Sequence, residues 1–172
     1  TPVASRLIMD AMKRSTIPVV AVIREIGTSG AYMAASGAEY IFADPMSDVG
    51  GIGVTMSYVD NVEKNKKEGL HFVSLSSAKY KDYGNPDKPL AEEERALMER
   101  DLKIYHNEFV KIVSENRKLA MEDVLKLADG SSMPGAMALE NKLIDAIGDQ
   151  ETARLWLAER IGVAGGAVKY CE

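Results

Sequence analysis

The densest chemistry in the sequence is Gly27-Thr28-Ser29-Gly30-Ala31, which joins the unbroken apolar run Pro18–Ile23 to a run of small residues, Ala31–Ser36. A serine at such a junction occupies a helix N-cap, and the backbone N–H groups of the first helical turn face whatever its hydroxyl attacks. Preset donors facing developing negative charge form an oxyanion hole, so the pattern suits nucleophilic acyl transfer. The flanking glycines permit close approach of another backbone. The full G-x-S-x-G elbow is absent, because Ala31 stands at its last position. A plain N-cap serine is the competing reading.

A serine hydroxyl needs a base at neutral pH. Only two histidines exist, His71 and His106. His71 opens a stretch that alternates as a strand, and His106 falls on the expected solvated side of a long helix. Neither neighbourhood suggests catalysis. The other base is a lysine kept neutral by burial, which requires roughly 3–4 kcal/mol of disfavoured charge. Ser76-Ser77-Ala78-Lys79-Tyr80-Lys81 ends an apolar stretch and places hydroxyls beside two lysines, Lys79 and Lys81. By composition alone both read as surface lysines. Ser36, seven residues beyond Ser29, reads as a packed helical serine. Gly50, Gly51 and Gly53 do not fit a phosphate-binding loop, since no G-x-x-x-x-G-K pattern exists. They suit close packing of two backbones or pairing with a substrate strand along Gly51-Ile52-Gly53.

These residues need elements to hold them. Pro18–Ile23 reads as a strand buried on both faces, and Ala31–Ser36 as a buried helix closed by Gly37. Tyr40–Ala43 predicts a second strand, stopped by Asp44-Pro45. The glycine-punctuated turn at 49–53 leads into an expected third strand, Val54–Tyr58. A charged helix is expected over Val59–Lys67, a strand over His71–Leu75, and a loop over Tyr83–Pro89. The longest helix starts near Ala91 with Glu92, Glu93 and Glu94 at its positive end. Its apolar stripe is expected along Met98, Leu102, Tyr105, Phe109 and Ile112. Further helices are expected over Met121–Ala128, Pro134–Asn141 and Gln150–Ile161. At the start, Thr1-Pro2 reads as an N-cap followed by proline at the first helical position. Short buried strands alternating with helices mean an α/β domain, with added C-terminal helices.

Length and composition bound the answer. The chain has 172 residues, 46% apolar and 27% charged, with a net charge of −5, which excludes disorder and offers no cationic footprint for nucleic acid. No apolar run approaches the 18 or so residues that cross a bilayer. One cysteine, Cys171, permits no intrachain disulfide, and one cysteine with two histidines offers no zinc cluster. The expected organisation is a single α/β domain over 1–162, lacking its N-terminal strands, and a loosely held tail over 163–172.

Taken in order, Val19-Val20-Ala21, Ser29-Gly30-Ala31-Tyr32, Ala43-Asp44-Pro45, Gly51-Ile52-Gly53-Val54 and Lys79-Tyr80-Lys81-Asp82 resemble the signal peptide peptidase (protease IV) family. A weaker echo runs from Gly135–Ala138 to Leu143–Gly148. The resemblance implies the Clp-protease/crotonase fold of repeated β-β-α units and Ser–Lys peptidase chemistry. Residue by residue, Ser29 matches the nucleophile, with Ala31 in place of a family glycine. Lys81 matches the general base and Gly30 an oxyanion donor. Gly51 stands where the family often shows serine.

The implied function is hydrolysis of extended apolar peptides, such as cleaved signal peptides, through an acyl-enzyme. No cofactor or metal is called for, and no nucleic acid is expected. The resemblance further implies a ring-like homo-oligomer, in which serine and lysine meet from neighbouring repeats or subunits. It also implies work at the extracytoplasmic face of a membrane, with the tether outside this chain. Two alternatives stay open: a crotonase-type acyl-CoA enzyme, for which Glu25 and Glu39 are the nearest acids, and an inactive scaffold of the same fold.

Overall fold

The computed structural model describes residues 1–170; Cys171 lies outside the described residues. The chain divides into two units: residues 1–53 with the chain from 107 onward, and residues 54–106.

The first unit holds six short strands in two sheets. In one, β1 (Val20–Ile23) runs parallel to β3 (Tyr40–Ala43), and β3 runs parallel to β6 (Ala146–Ile147), with Val20 opposite Tyr40 and Phe42 opposite Ala146. In the other, β2 (Ile26–Thr28) runs parallel to β4 (Asp48–Gly50), and β4 pairs antiparallel with β5 (Ser132–Pro134). Each of the first two repeats sends one strand to each sheet, so β1 and β2 are followed by helix α2 (Gly30–Ala35), and β3 and β4 repeat the pattern. This is the expected architecture of repeated β-β-α units. β2, β5 and β6 went unforeseen, and Val49 and Gly50 of β4 fall in the expected turn, because two or three residues are too few to display a period.

Helix α1 (Pro2–Lys13) starts as expected, with the Thr1 side chain accepting from Ala4 N and proline in its first turn. It lies against α2 so closely that a Cβ on Gly37 would meet Met9 backbone and side chain at 2.6–2.8 Å. The core gathers Met9, Tyr32, Ile41, Val49, Ile52, Val110, Val113, Val124, Leu143 and Ile144. Each fully buried aliphatic side chain contributes about 1.5–3 kcal/mol.

The Leu143–Gly148 segment is secured by charge. Arg117 donates to both Asp145 oxygens, at 3.0 and 2.7 Å, and to Lys142 O at 3.0 Å. Asp145 Oδ2 also accepts from Ile41 N at 2.8 Å, which locks β6 to β3. Helices α5 (Met121–Leu127), α6 (Gly135–Glu140) and α7 (Gln150–Arg160) complete this unit. Residues 163–170, expected to be loosely held, contain a 3-10 turn at Gly165–Ala167. Arg154 donates to Gly165 O and Val168 O, and Tyr170 donates to Glu151.

The second unit is sparse. It contains α3 (Val62–Lys67) and the first part of α4 (Glu92–Arg117), a helix that continues into the first unit. The strands expected over Val54–Tyr58 and His71–Leu75 are irregular chain. Neither finds a strand partner among the described residues, and an extended segment without one leaves its backbone groups to water. Val73 and Leu75 are accordingly exposed, Leu75 at 97%.

On α4 the expected stripe holds at Met98, Leu102, Phe109 and Ile112, all covered, and fails at Tyr105, which is exposed. Half-buried His106 takes its place, and Val110 and Val113 are buried as well. Among the described residues no helix is long and apolar enough to cross a membrane.

Candidate active site

The serine sits where β2 ends. The ladder continues one residue past Thr28, with Ser29 N donating to Gly50 O at 2.8 Å, and Ser29 O accepts the first bond of α2 from Met33 N at 2.9 Å. Between those two bonds the backbone must turn sharply, and Ser29 takes φ 53°, ψ −123°. A non-glycine residue at positive φ costs about 1–3 kcal/mol and persists only when its surroundings over-determine it.

Lys118 and Lys142 also have positive φ, but both follow helix C-termini, where a left-handed residue is an ordinary stop. Ser29 instead opens a helix. Its side chain makes no capping bond, so the plain N-cap reading fails. The hydroxyl is exposed on a strained strand-to-helix turn, the conformation of a nucleophile elbow without that motif's last glycine.

The surroundings supply the over-determination. Tyr32, in the first turn of α2, is fully buried and donates to Leu143 O at 2.8 Å. Burial pushes its phenol well above the ordinary range. Ser36 caps the far end of α2, buried, donating to Met33 O and accepting from Asn116 Nδ2 at 2.9 Å. That full set of bonds gives Ser36 the packed role expected of it. Asn116 also reaches Met9 Sδ, so one amide ties α1, α2 and α4.

Gly30 follows the serine, and its N–H has no acceptor among the described residues. A Cβ on Gly30 would stand 2.5 Å from Ser5 Oγ. Gly51 (φ +58°) lies against the same turn, where a Cβ would come within 3.2 Å of Ser29 N. The segment Gly51-Ile52-Gly53 does let two backbones pack closely: a Cβ on Gly53 would meet Gly130 Cα at 2.7 Å. Gly51 N donates to Ser131 O and Ile52 O accepts from Gly130 N, both at 3.1 Å. Those two groups are therefore engaged within the chain rather than turned to an incoming strand, and the Ile52 side chain is buried.

The lysines belong to the second unit. Lys81 is exposed on a run of turns, its N–H donating to Ala78 O at 3.1 Å. Lys79 Nζ stands 4.8 Å over the Tyr80 ring. Tyr80, and after it Glu93, hold the Lys79 ammonium above the ordinary lysine value, the wrong direction for a base. His71 is exposed at the edge of a shallow groove of about 290 Å³ with Val62, Lys66, Phe72 and Lys88. Glu25 is exposed, and Glu39 pairs with Arg160. Sequence reasoning missed Arg117 and Asp145 as the clamp that ties residues 142–145 to β3. A lone arginine and a lone aspartate 28 residues apart carry no spacing signal.

Residues 11–164 match the profile described as Peptidase family S49. A Methanocaldococcus jannaschii protein named "Putative protease MJ0651" is 37% identical over 136 residues, 79% of this chain and 44% of that protein. "Putative signal peptide peptidase SppA" of Enterococcus faecium is 30% identical over 84% of this chain and 42% of its own length. "Protease 4" of Haemophilus influenzae is 30% identical over 76% of this chain and 21% of its own. The chain therefore spans less than half of each of these three proteins.

Proposed function

The chain belongs to peptidase family S49, and from that premise we propose that it supplies the nucleophile, Ser29, and the general base, Lys81, of a serine endopeptidase acting on extended apolar peptides. The observation that carries the reading is the backbone of Ser29: positive φ at a helix start, with its hydroxyl left out of any cap. Strain of that kind, held by a buried framework, suits a side chain whose task lies outside the fold.

Lys81 Nζ takes the Ser29 proton as Oγ bonds to the peptide carbonyl carbon. The carbonyl oxygen, now negative, turns to the Gly30 N–H, the donor left open beside the serine. The ammonium then gives its proton to the leaving amine as the C–N bond breaks, and water repeats the sequence on the acyl-enzyme. Desolvation favours the neutral amine that a base at neutral pH requires. The exposed Lys81 therefore requires cover in the working assembly, a ring-like homo-oligomer in which serine and lysine meet across subunits. Gly51-Ile52-Gly53 borders the substrate cleft through the groups it does not spend on residues 130–131. The extracytoplasmic face of a membrane is the expected workplace.

Substitution tests the pair. Ser29→Ala and Lys81→Ala each lower kcat by about a thousand-fold or more, while Lys79→Ala leaves it within a few-fold. Mixing the two dead variants restores part of the activity if the pair is shared between subunits. A fully active Ser29→Ala protein removes the assignment.

A further inference from the structure

The segment carrying Lys81 is poorly anchored for a base that must be placed within hydrogen-bond reach of a hydroxyl. Every residue from 68 to 81 is exposed. Leu70 N donates to Asn65 O at the end of α3, and beyond it the backbone bonds are local turns, Lys81 N to Ala78 O, Tyr83 N to Tyr80 O and Asn85 N to Asp82 O. The ionic attachment comes one residue after Lys81. Asp82 is half-buried, and its Oδ1 accepts from Lys88 Nζ at 3.1 Å, while the same ammonium donates to Glu94 Oε1 at 2.7 Å. Glu94 lies in the first turn of α4, its side chain only 8% exposed. Two residues further along, a Cβ on Gly84 would run into the end of the Met98 side chain. Lys88 therefore bridges the residue next to Lys81 and a 26-residue helix.

The bridge is not an ordinary surface pair. All three side chains are at most 23% exposed, and Asp82 Oδ2 and Glu94 Oε2 are buried with no hydrogen-bond partner. Two carboxylates share one ammonium. Removing it leaves two neighbouring carboxylates that repel each other and are poorly solvated, and breaking such a bridge costs far more than a surface ion pair. The nearby Ser74 hydroxyl and then Lys88 hold the Asp82 carboxyl below its ordinary value, and Glu94 chiefly raises Lys88.

We infer that Lys88 is a positioning residue for the reaction: by bridging Asp82 and Glu94 it fixes the turn that presents Lys81. The inference rests on Lys81 being the base. It is tested on the purified protein with Lys88→Met, Lys88→Arg and, as a surface control, Lys67→Met.

Hydrogen exchange at the Lys81, Tyr83 and Asn85 amides rises about ten-fold or more in Lys88→Met, as expected where opening is local. Peptide hydrolysis shows kcat lower by about a hundred-fold with KM within a few-fold, the size of effect a misplaced catalytic group produces. Lys88→Arg restores both readings, and Lys67→Met changes neither.

Wild-type exchange and kcat in Lys88→Met overturn the inference. So does a kcat loss accompanied by exchange rising equally throughout the chain, or one that Lys88→Arg does not rescue. If Lys88→Met does not fold, Glu94→Gln takes its place: faster exchange at the same amides supports the bridge, and wild-type exchange refutes it. An active Lys81→Ala protein removes the base assignment, and with it the catalytic role of Lys88, whatever the exchange shows. An inactive Lys81→Ala beside a fully active Lys88→Met removes the bridge alone.

Discussion

The two units hold their chemistry in opposite ways. In the first, Ser29 sits in a strained conformation held by backbone bonds to Gly50 of β4 and Met33 of α2, while the buried Tyr32 and Asn116 contacts fix α2 itself. In the second, Lys81 lies in an exposed run of turns whose nearest attachment is a three-residue ionic bridge. Hydrogen bonds set in a packed core orient the Ser29 backbone. Polar ties, including Asn61 and Asn65 donating to Asp87, shape the surroundings of Lys81. A backbone held at positive φ persists only where its surroundings over-determine it, whereas a turn held by local bonds and one ionic bridge opens more readily.

If that contrast is right, substitutions at buried contacts in the first unit are costly and those among the exposed apolar residues near the lysine are not. The largest effect belongs to Arg117→Met, which leaves Asp145 facing Ile41 N without its guanidinium. We expect about 3–5 kcal/mol of lost stability in denaturant unfolding, with peptide hydrolysis falling in parallel. Tyr32→Phe comes next: it strips the donor from the buried Leu143 carbonyl and costs about 1–3 kcal/mol in thermal unfolding. A near-neutral result there would mean that α2 is held by packing alone.

An acid titration probes the edge of the same unit. Arg154 first, and then Tyr170, hold Glu151 down to about 2, from 4.5. A depressed carboxylate stabilises the fold above its unfolded value. That contribution is therefore intact at neutral pH and fades as the pH drops from about 4.5 towards about 2. Exchange at the Ala167 amide, bonded to Ala164 O, should quicken across that window relative to amides in α6.

The smallest effect is expected at Leu75, 97% exposed. Leu75→Ser should change stability by less than about 0.5 kcal/mol. A larger loss would show that the segment is covered in solution and would erase much of the difference between the units.

Legibility in the sequence follows the same division. Pro18–Ile23 and Tyr40–Ala43 announce buried strands because continuous apolar runs need no partner to be recognised, and the Thr1-Pro2 start reads directly as a capped helix. The ordered motifs around Ser29 and Lys81 disclose the family before any geometry is known. Val54–Tyr58 and His71–Leu75 mislead because alternation marks a chain suited to a sheet without saying whether a neighbouring strand is there. On α4, both Tyr105 and His106 are compatible with a helical stripe, and only packing chooses between them.

The residue types along the chain thus determined by themselves the alternation of strand and helix, the serine at a glycine-flanked junction and the lysine beside an aspartate, since these depend on local propensity and short spacing. Tertiary structure alone decided that the Ser29 backbone is strained and its hydroxyl uncapped, that Arg117 finds Asp145, and that Lys88 joins Asp82 to Glu94. Each of these depends on groups brought together by folding, and a hydrogen bond or a buried charge has no meaning until its surroundings exist.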